Sequence, residues 1–258
     1  MENRLKTLLQ QGKIAIGAQL RFGSPAIAEL FGLAGFDYII IDSEHAPQTP
    51  VGIQAQLQAI GCTNATPIVR MLKNDADMMR PYLDMGAQGI LAPFVNTVSE
   101  ARHGAAALRY PPQGSRGYGP SRAAQYGFDT GYFKGANDNM VYLPIIEDTL
   151  AIRNIEELLA VDGVDSFVIG PVDLSISLGV PMDFQNTKFK EAVKQVIKAA
   201  QKAKKPMGTA IYGGDMFTAD IYKRFVDEGY TLLLIGGDEW MLNSSCLKIM
   251  NCVSSVRG

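Results

Sequence analysis

Eight short runs of β-branched and aliphatic residues recur along the chain, each followed by a helical pattern, and this alternation constrains the fold more than any other feature. The runs are Ile14 to Leu20, Asp37 to Asp42, Thr66 to Met71, Gln88 to Phe94, Met140 to Glu147, Asp165 to Gly170, Pro206 to Tyr212 and Tyr230 to Gly236. They are continuously apolar rather than alternating, which suits parallel strands covered on both faces. Eight such βα units in 258 residues predict one α/β domain spanning residues 1–258, a closed (β/α)8 TIM barrel. A doubly wound open sheet is the alternative. Helix starts support the register: Ser24-Pro25 offers an N-cap and a first-turn proline before AIAELFGLAG, which stops at glycine. Further helices are predicted from about Pro50, Asp75, Thr97, Asp148, Thr187, Asp215 and Asp238, with an extra helix over Glu2 to Gln11 closing the lower mouth of the barrel.

Composition narrows the partners. The chain is 47% hydrophobic and 19% charged with a formal net charge of -2, so it can bury a large core and offers no basic footprint for nucleic acid or an anionic membrane. It has neither a signal-peptide core nor an apolar run near the roughly 18 residues of a membrane span. A cytoplasmic protein with small-molecule substrates is expected. Cys62, Cys246 and Cys252 lack metal-ligand spacing and are expected to be reduced, partly buried thiols. With only His45 and His103 present, a histidine-rich zinc site is excluded, and His103 falls in the polar part of a predicted helix. Oxygen ligands favour Mg²⁺ or Mn²⁺, with Co²⁺ admissible.

Acidic residues follow three of the apolar runs: Glu147 after MVYLPII, Asp173 after DSFVIGPV, and Asp42 with His45 in YIIIDSEHAP. Barrel enzymes build their sites at the C-terminal ends of the strands, and Asp42, Arg70, Glu147 and Asp173 would all project there. Carboxylates so placed can hold a divalent cation, and they can equally cap the helices that follow. A histidine beside an aspartate can move a proton. Gly170, Pro171 and Val172 allow close backbone approach of a substrate carboxylate, with Ser175 assisting, although the same residues also read as a simple helix start. Lys73 lies just past its strand and Lys205 precedes one, so neither is placed for a Schiff base. Asp215 and Asp238 follow Gly-Gly pairs after the last two strands, where they disfavour phosphate and suit tight turns and N-caps. The segment Tyr110 to Asn139 far exceeds an ordinary connection, and is either a subunit contact or an active-site lid. The C-terminal helix carries Trp240, Met241, Leu247, Ile249, Met250 and Val253, more apolar surface than one helical stripe needs.

The combination IDSEHAP, PIVRM, DMGAQGILAPFV, YPPQGSRG and GPVDLSISLG, spread over nearly the whole chain, resembles the HpcH/HpaI aldolases. The resemblance implies a metal-dependent class II aldolase that cleaves a 4-hydroxy-2-oxo acid to pyruvate and an aldehyde, the metal holding the electrons of the broken bond as an enolate. It further implies Glu147 and Asp173 as metal ligands, His45 with Asp42 as the proton-transfer pair, Arg70 at the keto oxygen and Asp84 as a supporting residue near the site. Asp42 is expected to orient the imidazole. Two positions depart from the family pattern: Ile145 stands where glutamine is common, and Gln19 where an aromatic often ends the first strand. Both are expected to line the substrate site and to shift its specificity. The likeness also implies a homohexamer, a trimer of dimers with exchanged C-terminal helices. Oxaloacetate decarboxylation, acyl-CoA lyase chemistry and a non-catalytic oxo-acid-binding barrel are the alternative functions.

Overall fold

A computed structural model describes residues 2–212, 216–254 and 256 of the chain. Eight parallel strands close into a barrel in sequential order: β1 Ala15–Leu20, β2 Tyr38–Asp42, β3 Thr66–Arg70, β4 Gly89–Ala92, β5 Val141–Ile146, β6 Phe167–Ile169, β7 Met207–Ile211 and β8 Leu232–Gly237. Seven fall inside the predicted runs and β8 extends one residue past the end of its run, to Gly237, and pairing of β1 with β8 completes the ring. The open-sheet alternative is thereby excluded.

Two apolar clusters hold the barrel. The larger lies between the strands and the helical ring, from residues such as Ile39, Ile41, Val69 and Phe167. The smaller fills the interior with Tyr38, Ile40, Ile68, Leu91, Val141, Leu143, Val168 and Leu232. The two-residue period of a strand sorts one set from the other. Gly17 admits the Tyr38 ring: a Cβ at position 17 would stand 2.2 Å from it, and Tyr38 is fully buried with nowhere to move.

The expected N-terminal helix is present at Arg4–Gln10, capped by the Asn3 side chain, and it corks the lower rim, the N-terminal end of the strands. Leu5 and Leu9 insert into the interior cluster. Asn3 Nδ2 donates to the carbonyls of Gln88 and Asn139, the Leu5 amide donates to Thr66 Oγ1, and Lys6 Nζ reaches the Met140 carbonyl. Each partner lies at the start of a strand, so the helix is tied to the barrel's base at several points.

Helix boundaries follow local chemistry. Ser24 caps Pro25–Ala34, which ends at Gly35 with φ 101°, and Thr97 with Glu100 forms a reciprocal capping box on Val98–Ala107. The expected helix start at Asp215 lies outside the described residues. The Tyr110 to Asn139 segment packs on the lower rim, where Arg122 donates to the Met85 carbonyl and Asn137 exchanges hydrogen bonds with the Tyr110 backbone. It is therefore no lid over its own barrel's mouth. It exposes Tyr118, Tyr126, Phe128 and Phe133. All three cysteines are exposed, which corrects the expectation of partial burial, and His103 is exposed as expected. No helix among the described residues is long and apolar enough to cross a membrane.

Candidate active site

The inward parity of each strand decides which side chains reach the upper mouth. Positions 15, 17 and 19 of β1, 38, 40 and 42 of β2, 68 and 70 of β3, and 141, 143 and 145 of β5 face the interior, and 147 continues the β5 series. The lower members are apolar or glycine, whereas the uppermost are Gln19, Asp42, Arg70 and Glu147. A cavity of about 60 Å³ sits among Gln19, Arg70, Ile145, Glu147, Gly170, Pro171, Val172, Asp173 and Tyr212. A larger groove of about 1030 Å³ lies around Lys6, Arg109 and Asp165, but at the lower rim, where Arg109 and Lys6 are occupied by Asp165 and backbone carbonyls.

Glu147 is 2% exposed. Its Oε1 accepts the Phe94 amide at 2.7 Å, from a backbone held at φ 50°, a conformation that non-glycine residues seldom adopt. Helix capping falls instead to the next residue, Asp148, whose side chain accepts the Leu150 amide. Burial pushes the Glu147 carboxyl up to about 7; the Phe94 amide and Arg70 oppose the rise, and Asp173 and Glu44 add to it. Gly170 makes this crowding possible, because a Cβ there would meet Glu147 Cβ at 3.0 Å and Ile145 Cγ2 at 3.1 Å. Asp173 stands in the first turn of helix Pro171–Ser177, which has no side-chain cap.

Asp42 is completely buried and fully engaged. Its Oδ1 accepts the amides of Glu44 and His45, and its Oδ2 accepts Gln19 Nε2 at 2.6 Å and faces the guanidinium groups of Arg21 and Arg70 at 3.4 and 3.7 Å. Asp42 thus orders the backbone of the histidine turn rather than the ring, which differs from the expected contact. The carboxylate beside the imidazole is that of Glu44, 3.6 Å from His45 Nε2, and it also forms an ion pair with Arg70 Nη2 at 2.6 Å. Burial raises the Glu44 carboxyl, Arg70 lowers it, and Asp42 and Asp173 raise it further. The His45 side chain is half exposed at the mouth.

Two expected site residues lie elsewhere. Asp84 ends helix Ala76–Asp84, which descends from the top of β3 to the lower rim, and there it pairs with the buried Arg116 at 2.7 Å while its carbonyl accepts Ser121 Oγ. Within this chain it does not support the site, because the helix carries it a full barrel height away. Ser175 is buried with its hydroxyl committed to the Val172 carbonyl and the Met182 amide, so it steadies the helix turn rather than facing the cavity.

Arg21, which follows Gln19 by two residues, joins the mouth, and Tyr212 there escapes sequence reasoning. Arg21 pairs with Glu239 and donates to the His45 carbonyl, and Tyr212 donates to Gln19 Oε1 at 3.1 Å. Burial raises the Tyr212 phenol, with Arg70 opposing. Strand parity was the available signal for Tyr212, since 210 and 212 continue the inward series of β7. Asp238 is buried and accepts the amides of Arg21, Phe22 and Glu239, so the last βα turn presents a carboxylate, as expected, where a phosphate would need donors.

The donor set suits an oxygen-loving divalent ion. Glu147 and Asp173 face one cavity, and a carboxyl destabilised by burial and by like charge regains its ionised form beside a cation. Among the described residues no three of His, Cys, Asp and Glu gather closely enough to form a metal site unaided. An ion bound here would therefore complete its shell with water and substrate oxygens, as Mg²⁺ and Mn²⁺ do.

Residues 20–243 match the family model described as HpcH/HpaI aldolase/citrate lyase. The 4-hydroxy-2-oxo-heptane-1,7-dioate aldolase of Escherichia coli is 36% identical over 244 residues, covering 94% of this chain and 91% of that protein. The 2-keto-3-deoxy-L-rhamnonate aldolase of Klebsiella pneumoniae subsp. pneumoniae is 38% identical over 210 residues, covering 81% and 79%. The crystal structure of a HpcH/HpaI aldolase/citrate lyase family protein from Burkholderia cenocepacia superposes with a TM-score of 0.90 at 29% identity, covering 99% of this chain and all of that one.

Proposed function

We infer that this chain, which belongs to the HpcH/HpaI aldolase/citrate lyase family, is a class II aldolase that reversibly cleaves a 4-hydroxy-2-oxo acid to pyruvate and an aldehyde. The observation that carries the reading is the convergence of Glu147, Asp173 and Arg70 on one cavity at the C-terminal mouth. Glu147 and Asp173 would hold a divalent cation, Mg²⁺ or Mn²⁺. A bound cation supplies Lewis acidity, drawing electron density from the carboxylate and keto oxygens of the oxo acid.

The remaining work falls to the chain. Arg70 reaches the cavity from β3 and offers a second positive partner to the keto oxygen as charge develops there. His45 takes the C4 hydroxyl proton through water as the C3–C4 bond breaks; the electrons pass to C3, which then takes up a proton to give pyruvate. Asp42 fixes the turn that carries His45, and Glu44 balances the imidazolium that forms. General-base catalysis contributes about 10² to 10⁴ in rate, or roughly 3 to 5 kcal/mol. A millionfold acceleration needs about 8 kcal/mol, so charge stabilisation at the keto oxygen supplies the difference. Backbone at Gly170 to Val172 closes on the substrate carboxylate. Ile145, a floor residue of the cavity, makes that wall apolar and excludes water there.

The protein acts as a homo-oligomer, a hexamer in this reading. Helix Asp238–Ser254 buries only Asp238 against its own barrel and leaves Leu242, Leu247 and Ile249 exposed, an apolar face that a second copy covers. The test of the activity is a screen of 4-hydroxy-2-oxo acids scored by pyruvate release. Release should require Mn²⁺ or Mg²⁺ and stop with EDTA. Metal-independent release, or none from any such acid, would overturn the assignment.

A further inference from the structure

A chain of hydrogen bonds whose direction is fixed by chemistry runs from Asp42 to the rim of the cavity. Asp42 Oδ2 has two guanidinium groups within 3.7 Å, and an ionised carboxylate only accepts. Gln19 must therefore turn its amide nitrogen toward Asp42, at 2.6 Å, which turns its carbonyl oxygen away. That oxygen lies 3.1 Å from the Tyr212 hydroxyl. A carbonyl cannot donate, so Tyr212 commits its one proton to Gln19, and only lone pairs remain on the phenol oxygen. The residue is 46% exposed and borders the same cavity as Arg70, Glu147 and Asp173.

Charge at the mouth points the same way. Arg21 faces Asp42 and Glu239, and Arg70 faces Asp42 and Glu44. Three carboxylates thus share two guanidinium groups, so a further carboxylate entering on an aldehyde meets net negative charge and an acceptor-only phenol.

We propose that Tyr212, locked as an acceptor by Gln19, selects the aldehyde half of the substrate by taking a hydrogen bond from a hydroxyl on it, favouring hydroxyaldehydes over unsubstituted or carboxylate-bearing ones. Tyr212 is the specificity-determining residue and Gln19 its positioning residue. The proposal rests on the aldolase reading above and goes further by choosing the substrate class.

The experiment measures kcat/KM for addition of pyruvate to lactaldehyde, propionaldehyde and succinic semialdehyde, using the full-length protein with Mn²⁺. The wild type should rank them in that order. Tyr212→Phe should lower the lactaldehyde-to-propionaldehyde ratio about fivefold, the worth of one ordinary hydrogen bond. Gln19→Leu frees the phenolic proton to donate and should raise the succinic semialdehyde-to-lactaldehyde ratio about fivefold. The second variant decides the matter if the first fails to fold, as judged by circular dichroism. An unchanged ratio in a folded variant, or a wild type that prefers succinic semialdehyde, overturns the proposal. Exchange of pyruvate methyl protons for deuterium by the wild type separates the two levels. Exchange without hydroxyl selectivity removes only the role of Tyr212, whereas the absence of both exchange and addition removes the aldolase reading and this inference together.

Discussion

Replacing Glu147 by glutamine should stabilise the metal-free protein at alkaline pH while destroying its metal affinity. The carboxyl moves from an ordinary value of 4.5 to about 7 on folding. At about 1.4 kcal/mol per pH unit, holding it ionised costs the apo fold about 3 kcal/mol. Because the folded value lies above the unfolded one, the native state binds the extra proton between those limits. Stability from this group is complete below 4.5 and is lost as pH rises through about 7. Glutamine keeps the shape and can still accept the Phe94 amide, but it carries no charge. Urea unfolding in EDTA should therefore find Glu147→Gln more stable than wild type by about 3 kcal/mol at pH 8, and by less than about 1 kcal/mol at pH 5. Added Mn²⁺ should stabilise only the wild type. A difference between the proteins that does not change from pH 5 to pH 8 would refute the view that burial and like charge strain this carboxylate.

Other outcomes follow from the same geometry. Glu44→Gln removes the charge shared by Arg70 and His45, and pyruvate release should fall about tenfold, mainly in kcat, consistent with the loss of about 1.4 kcal/mol of ion pairing; an unaltered kcat would assign that balancing role elsewhere. Gly17→Ala drives a methyl group into the immobile Tyr38 ring and should cost about 2 to 3 kcal/mol in chemical denaturation, whereas a neutral result would mean that the barrel interior can repack. Removal of residues 242–258 should lower the mass seen in analytical ultracentrifugation; an unchanged mass would place the subunit contact on another surface.

The fold was legible because its signal is redundant: eight unbroken apolar runs at regular spacing admit few closed arrangements, and each strand was found where its run lay. The upper ring of the site was legible for a related reason, since Asp42, Arg70 and Glu147 occupy the last inward positions of their strands. Within its own chain Asp84 lies away from the site because helical descent, not sequence proximity to a site motif, decides which rim a residue reaches. The partner of His45 was misassigned for a subtler cause. On a turn, adjacent side chains have no fixed parity, so the contact passed to Glu44 while Asp42 took the turn's amides. Tyr212 is ordinary in sequence and acquires meaning only when β1 and β7 are brought round one barrel mouth. The exposed cysteines show the limit of composition, since residue type alone does not fix which helix face a thiol occupies.

The packed interior of the barrel, closed below by Leu5 and Leu9, has a kinetic corollary. A barrel sealed behind its reaction chamber is a cul-de-sac, so reactants and products use one doorway in turn. Whichever fragment sits deeper is trapped until the shallower one has departed, and the order of departure is thus imposed by plumbing rather than by relative affinity.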